Sequence, residues 1–193
     1  MQPLHAEFPG IEAQQVRRLR RAEYDRLVEE GAFADERVEL IRGVIIRMPP
    51  QGPTHTSPID RLTELLVLKL SGRARVRVQG PLIAPDDSEP EPDLAVIPPG
   101  DYDDAHPSVA WLVIEVAESS LSYDRLTKAP LYAAMGVPEY WIVNVREAAI
   151  EVHRQPEGDR YARVTSHGRG ETITLERFAD ASIDVDDVLR PSR

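Results

Sequence analysis

WLVIEVAESSLSYDRLTKAPLYAAMGVPEYWIVN, residues 111–144, decides how the chain folds. Its first six residues are apolar apart from one acid, Glu115. In an extended chain Leu112, Ile114 and Val116 fall to one face, and Trp111, Val113 and Glu115 to the other. The segment therefore reads as a central strand covered on both sides. EYWIVN, residues 139–144, is a second apolar strand, and the stretch from Ser119 to Gly136 contains a helix. Strand, helix and strand within about 30 residues predict a right-handed crossover between parallel neighbours.

The flanks add further elements. RVELIRGVIIRM, residues 37–48, places two β-rich runs around Arg42-Gly43 and reads as a hairpin. Tyr24, Leu27 and Val28 have helical spacing from Arg20 to Glu30, with Gly31 as the stop. Ile59, Leu62, Leu65, Leu66 and Leu70 form one broad face of a helix starting near Pro58. RVRVQGPLIA (75–84) and DLAVI (93–97) are strands, and IEVHR, RYARVT and TITL supply three short hairpin strands near the C-terminus. The predicted class is α/β (α+β), a mixed central β-sheet flanked by helices. One domain is expected over 1–193, with its core at about 20–155. Residues 1–15 read as a loose leader and 156–193 as a β-rich extension.

Composition narrows the functional classes. The chain has 193 residues, 41% hydrophobic and 29% charged, as in ordinary globular proteins. Cysteine is absent, which removes disulfides and thiolate metal sites. No apolar run approaches membrane-spanning length, and MQPLHAEFPG lacks the regions of a signal peptide, so a cytoplasmic protein without a membrane partner is expected. The net charge of −10 argues against a general nucleic-acid coat, which draws its affinity from Lys and Arg. Two basic clusters, Arg17, Arg18, Arg20 and Arg21, then Arg73, Arg75 and Arg77, read first as solvated surface. The histidines show no zinc-site spacing.

Three acids stand in or against apolar strands: Glu39 in VELI, Asp93 at the mouth of DLAVI, and Glu115. A buried carboxylate is costly unless it is protonated, paired or bound to a cation. If the three strands are neighbours, the acids converge on one point, and a hard divalent ion is the simplest partner. Mg²⁺ keeps several waters, so two or three carboxylates suffice. Lys128 alone reads as solvated, yet it follows the Glu115 strand, and Tyr132, four residues on, shares its helical face. An ammonium beside a metal-bound water can orient it or steady developing negative charge.

VELIRGVIIRMPPQGPTH, EPEPDLAVI and residues 111–144 together resemble the Uma2-type proteins, restriction-endonuclease-like members of the PD-(D/E)XK nuclease superfamily. The most specific part is the series Tyr123-Asp124-Arg125, Lys128, Tyr132 and GVPEYWIV. The resemblance implies a restriction-endonuclease-like core and Mg²⁺- (or Mn²⁺-) dependent hydrolysis of DNA phosphodiesters. It places the superfamily's first acid on Asp93, its second on Glu115 and an N-terminal glutamate on Glu39. Asp93 and Glu115 would hold the metal, Glu39 would complete or support the site, and Lys128 would position the attacking water. His55 matches a histidine common at that place and is a supporting candidate. Tyr132 and Glu91 are further supporting candidates, Glu91 because it shares a side with Asp93 in an extended segment. The resemblance also suggests a homodimer.

Four positions depart from the pattern. Ala117 occupies the usual lysine position, so Lys128 is a displaced replacement. Pro130 falls inside the predicted helix, which must start late, kink or break there. Ser119 and Asn144 replace a proline and an aspartate common in relatives. The sequence leaves two alternatives open. One is a catalytically inactive nuclease-fold module binding DNA or protein. The other is a hydrolase that uses paired carboxylates on a substrate other than nucleic acid.

Overall fold

The computed structural model describes residues 16–190; the leader expected over 1–15 lies outside them. The described chain divides into two compact units. One runs up to Pro49 and adds Pro85–Glu89; the other takes Pro50–Ala84 and the chain from Pro90 onward.

In the first unit, helix α1 (Arg21–Glu29) is closed at its start by Glu23, whose carboxylate accepts the Arg20 N–H at 2.9 Å. Gly31, at φ +76°, follows its end, as the stop signal predicts. Strands β1 (Val38–Ile41) and β2 (Val44–Arg47) form the expected hairpin. Arg42 and Gly43 both have positive φ, the conformation that matches a two-residue turn to strand twist. Gly43 is obligatory for a second reason: a Cβ there would stand 2.4 Å from Arg18 Cβ. Tyr24, Val38 and Leu40 make a small core, with Leu19, Phe33 and Ile45 against it. Glu89 joins this unit through backbone bonds with Leu40 in both directions.

The second unit is built on a six-stranded mixed sheet in the order β3-β4-β5-β6-β7-β8. The strands are β3 (Arg75–Val78), β4 (Leu94–Ile97), β5 (Leu112–Ala117), β6 (Glu139–Asn144), β7 (Ala149–Glu157) and β8 (Arg160–His167). β5 and β6 are parallel and the other neighbours antiparallel, so the strand–helix–strand reading of residues 111–144 holds. β5 and β6 are interior and buried along their whole length.

One face of the sheet (Leu94, Val96, Leu112, Ile114, Val116, Trp141, Val143, Ile150 and Val152) packs with Ile59, Leu62, Leu66 and Leu70 of helix α2 (Pro53–Leu70). The C-terminal hairpin β9 (Thr172–Thr174) and β10 (Ser182–Asp184) completes that core with the short helix α5 (Val185–Val188). The other face carries Ala95, Ile97, Val113, Ala117, Tyr140 and Ile142, covered by Ala129, Tyr132, Ala133 and Val137.

Three expectations are corrected. Helix α2 starts at Pro53, not near Pro58: Pro53 occupies the first helical position, where a missing N–H costs nothing, and Pro58 is carried inside. The strand expected over 75–84 ends at Val78, because Gln79 turns left-handed (φ +49°) and Pro81 has no amide to donate. Trp111 does not share a face with Val113. The strand begins only at Leu112, and the indole turns to the α2 side, where it meets Phe178 edge-on and lies under the Arg177 guanidinium at 3.9 Å.

Among the described residues no helix is long and apolar enough to cross a membrane. The second basic cluster separates by role. Arg73 binds Asp180 through two bonds of 2.9 Å and covers Phe178, tying down the C-terminal segment. Arg75 and Arg77 lie on edge strand β3, paired in register with Ile97 and Ala95.

Candidate active site

The face of the sheet opposite α2 carries an apolar cluster, and ionisable groups gather beside it in the second half of β5. Extending the β4–β5 register by one step from Leu94↔Ile114 sets Asp93 opposite Glu115. In place of a regular ladder, the two acids exchange side-chain bonds with the backbone. The Val116 N–H donates to Asp93 Oδ2 at 2.8 Å, and the Asp93 N–H donates to Glu115 Oε2 at 3.3 Å. Each carboxylate is thereby fixed to the other's strand. Asp93 and Glu115 are only 7% and 6% exposed.

Lys128 closes the arrangement. It is 3% exposed, so the solvated reading of this lysine is overturned. Its Nζ lies 3.1 Å from Glu115 Oε1, and the same oxygen accepts the Tyr132 hydroxyl at 2.8 Å. The two donors reach one atom because they lie four residues apart on one helical face. Pro130 does not misdirect them. The predicted helix is a composite: α3 (Leu121–Tyr123), a π-helical turn (Asp124–Lys128), then α4 (Ala129–Ala134). The Ala129 N–H reaches back five residues to Asp124 O, and α4 starts afresh with Pro130 in its first turn. There a missing amide is tolerated. Widened turns of this kind recur at functional sites.

His55 and Gln51 complete the surroundings of Asp93. Asp93 Oδ1 lies 3.1 Å from His55 Nε2 and accepts Gln51 Nε2 at 3.3 Å. Burial disfavours the imidazolium of His55, but the hydrogen bond and charge of Asp93, aided by Glu118 and Asp124, outweigh it and raise the histidine above its ordinary value. Tyr140, fully buried beside the group, is pushed well above the usual phenol range by burial and then by the charges of Asp124, Glu115 and Asp93.

The fold gathers Asp93, Glu115, Lys128, Tyr132 and His55, all five of them candidates from the sequence. Glu91 is half-buried two residues before Asp93. Glu39 belongs to the first unit, where it is buried in β1 opposite Ile46. Three participants were missed. Gln51 and Gln79 are loop amides with no periodic signal. Asp124 was noticed only within a motif; it is buried, accepts the Ser120 hydroxyl at 2.6 Å and offers its carbonyl to the Tyr140 hydroxyl at 3.3 Å. Its signal is a serine four residues ahead of an acid at a helix start. Arg125 grips Glu151 of β7 through several contacts, anchoring the π-helical turn to the sheet. Asn144 holds the β6–β7 turn: it accepts the Glu147 N–H at 3.2 Å and donates to the Glu147 carboxylate at 3.1 Å.

Among the described residues no three His, Asp or Glu side chains form a ready-made metal cage. Two adjacent carboxylates match an ion that keeps waters and takes substrate oxygens, as Mg²⁺ does; a structural zinc would need more nitrogen or sulfur donors. The donor set therefore fits a hard divalent cation held by Asp93 and Glu115.

A family model, Uma2, described as "Putative restriction endonuclease", matches residues 21–186. No curated protein matches the chain. A crystal structure of a "putative nuclease belonging to DUF820" from Anabaena variabilis superposes with a TM-score of 0.67 at 20% identity, covering 80% of this chain and 90% of the other. At that identity the likeness establishes a shared fold.

Proposed function

The chain belongs to the Uma2 family, and on that footing we propose that it is a nuclease that hydrolyses DNA phosphodiester bonds with a divalent cation, Mg²⁺ or Mn²⁺. The observation that carries this reading is the buried string Lys128–Glu115–Asp93 on the sheet face opposite α2. Burying three ionisable side chains is expensive, and such a cluster marks a candidate functional site.

Asp93 and Glu115 would hold the cation. When bound, it would polarise the phosphoryl oxygens and acidify a coordinated water. The protein's own groups do the rest. Lys128 places a fixed positive charge at the carboxylate pair, where it can orient the attacking water and offset charge that develops on the phosphoryl oxygens. Tyr132 fixes the Glu115 carboxylate through the oxygen shared with Lys128, and His55 steadies Asp93. Rigid strands and a tied-down helical turn keep these groups from reorganising as charge moves.

The net charge of −10 favours a second reading, a nuclease-fold module that binds without cutting. One experiment separates the two. Plasmid DNA is incubated with the protein and Mg²⁺ or Mn²⁺, with and without EDTA. Cleavage is expected, abolished by chelator and by Asp93→Asn or Glu115→Gln. Cleavage that survives both substitutions refutes the assignment; DNA binding without cleavage by the wild type establishes the second reading. Glu39→Gln in the same assay tests the role that the family resemblance gives that residue.

A further inference from the structure

Asp93 is held by a chain of amides that begins at a strained residue. Gln79 has φ +49°, a left-handed conformation disfavoured for a side-chain-bearing residue. Arg42 has the same sign of φ, but it sits in a two-residue hairpin turn that demands it. Gln79 has no such turn; it stands at the end of β3, where its N–H donates to Asp93 O at 3.0 Å. Its side chain continues the connection. Gln79 Nε2 donates to Gln51 Oε1 at 2.6 Å, and Gln51 Nε2 donates to Asp93 Oδ1 at 3.3 Å. The carboxylate dictates the direction, since a flipped Gln51 would set oxygen against oxygen at Asp93. Backbone strain kept at the end of a polar chain that terminates on one carboxylate is a mark of a positioning device.

We propose that Gln51 and Gln79 are positioning residues that fix the Asp93 carboxylate in its working orientation. Gln51 acts on Oδ1 beside His55, with Gln79 behind it, and Oδ2 is left to the Val116 amide. The proposal deepens the nuclease reading, on which its metal-binding consequence rests; its structural consequence does not depend on that reading.

The test uses Gln51→Ala and Gln79→Gly. Glycine accepts the left-handed backbone, so the second change removes the side chain without adding strain. Two quantities are measured on the full chain: the amide resonance of Val116 in metal-free protein, and Mn²⁺ affinity by calorimetry. Thermal unfolding serves as a control for folding. Both variants are expected to melt near the wild type, to shift the Val116 amide more than other β5 amides, and to bind Mn²⁺ about tenfold or more weakly, the usual cost of losing an outer-shell partner. An unmoved Val116 resonance in both variants overturns the proposal. So does a moved resonance with wild-type Mn²⁺ affinity. If the wild type binds no Mn²⁺, the metal-ligand reading of Asp93 fails instead, and the Val116 resonance alone decides whether the relay holds the carboxylate.

Discussion

Lys128→Met is the most demanding perturbation of this structure. Methionine keeps the length and apolar stem of lysine and removes the ammonium, so little cavity forms. What remains is Glu115, its side chain 9% exposed, still bonded to the Tyr132 hydroxyl and the Asp93 N–H but without the Lys128 ammonium. Removing one member of a buried ion pair costs about 3–5 kcal/mol, because the other charge stays buried. In a domain of this size each kcal/mol moves the melting midpoint by roughly 2–4 °C, so a fall of about 6–20 °C is expected. The double variant Lys128→Met/Glu115→Gln removes both charges. Its amide can still meet the Tyr132 hydroxyl, so it melts above the single Lys128→Met variant although it lacks more native groups. The assay is thermal unfolding in EDTA, with cleavage of plasmid DNA recorded in parallel; both variants are expected to be inactive. A single variant that melts within about 2 °C of wild type, or a double variant no better than the single, would refute the claim that Lys128 and Glu115 form a buried, mutually dependent pair.

Pro130→Ala is expected to lower stability by no more than about 1 kcal/mol, through a more flexible unfolded chain; a gain near 3 kcal/mol in denaturant unfolding would show that the proline strains a regular helix interior. Glu139 is buried and accepts bonds from Arg154, the Trp141 indole and the Glu176 N–H, the first two on one oxygen, so Glu139→Ala is expected to cost about 3–5 kcal/mol in the same measurement. Burial, then the charge of Asp25, raises the Glu89 carboxyl from 4.5 to about 7 against the pull of Arg21. An acid raised in the folded state binds its proton more tightly there, so its contribution is fully present below pH 4.5 and is lost as pH rises through about 7. Glu89→Gln should flatten that part of the stability–pH curve, and an unchanged slope would contradict the assignment.

The legible parts of the molecule are those that a short period or a turn rule encodes. Residues 112–117 and 139–144 announce interior strands because both faces are apolar, and Arg42-Gly43 announces a hairpin because few dipeptides suit that turn. Asp93 and Glu115 were visible for the converse reason: an acid inside an apolar run breaks a pattern. Gln51 and Gln79 break nothing. Gln51 lies in a Gly- and Pro-rich loop where any polar residue is expected, Gln79 falls inside a run that reads as strand, and their role exists only once three segments meet. The end of β3 was missed on similar grounds, since Val76 and Val78 extend a pattern that Gln79 ends by its backbone conformation alone.

The position of Lys128 follows from the widened helix. With alanine at 117, a lysine cannot come from β5, so the cation must arrive from the segment that crosses back to β6. A helix reaching down toward two strand-borne acids needs two things: a basic residue on its inner face and a fixed depth. The first comes from spacing, since Lys128 and Tyr132 share that face and meet at Glu115 Oε1. The second is set at the π-helical turn, where Arg125 is clasped by Glu151 and the Asp124 carbonyl accepts both the Ala129 amide and the Tyr140 hydroxyl. Pro130 then reinforces the geometry it first seemed to threaten. It cannot donate the i−4 bond that would carry a regular α-helix through the turn, so it disfavours that helix relative to the widened one. The proline that makes a uniform helix impossible on paper thus helps hold the break that lets a displaced lysine stand over its carboxylate.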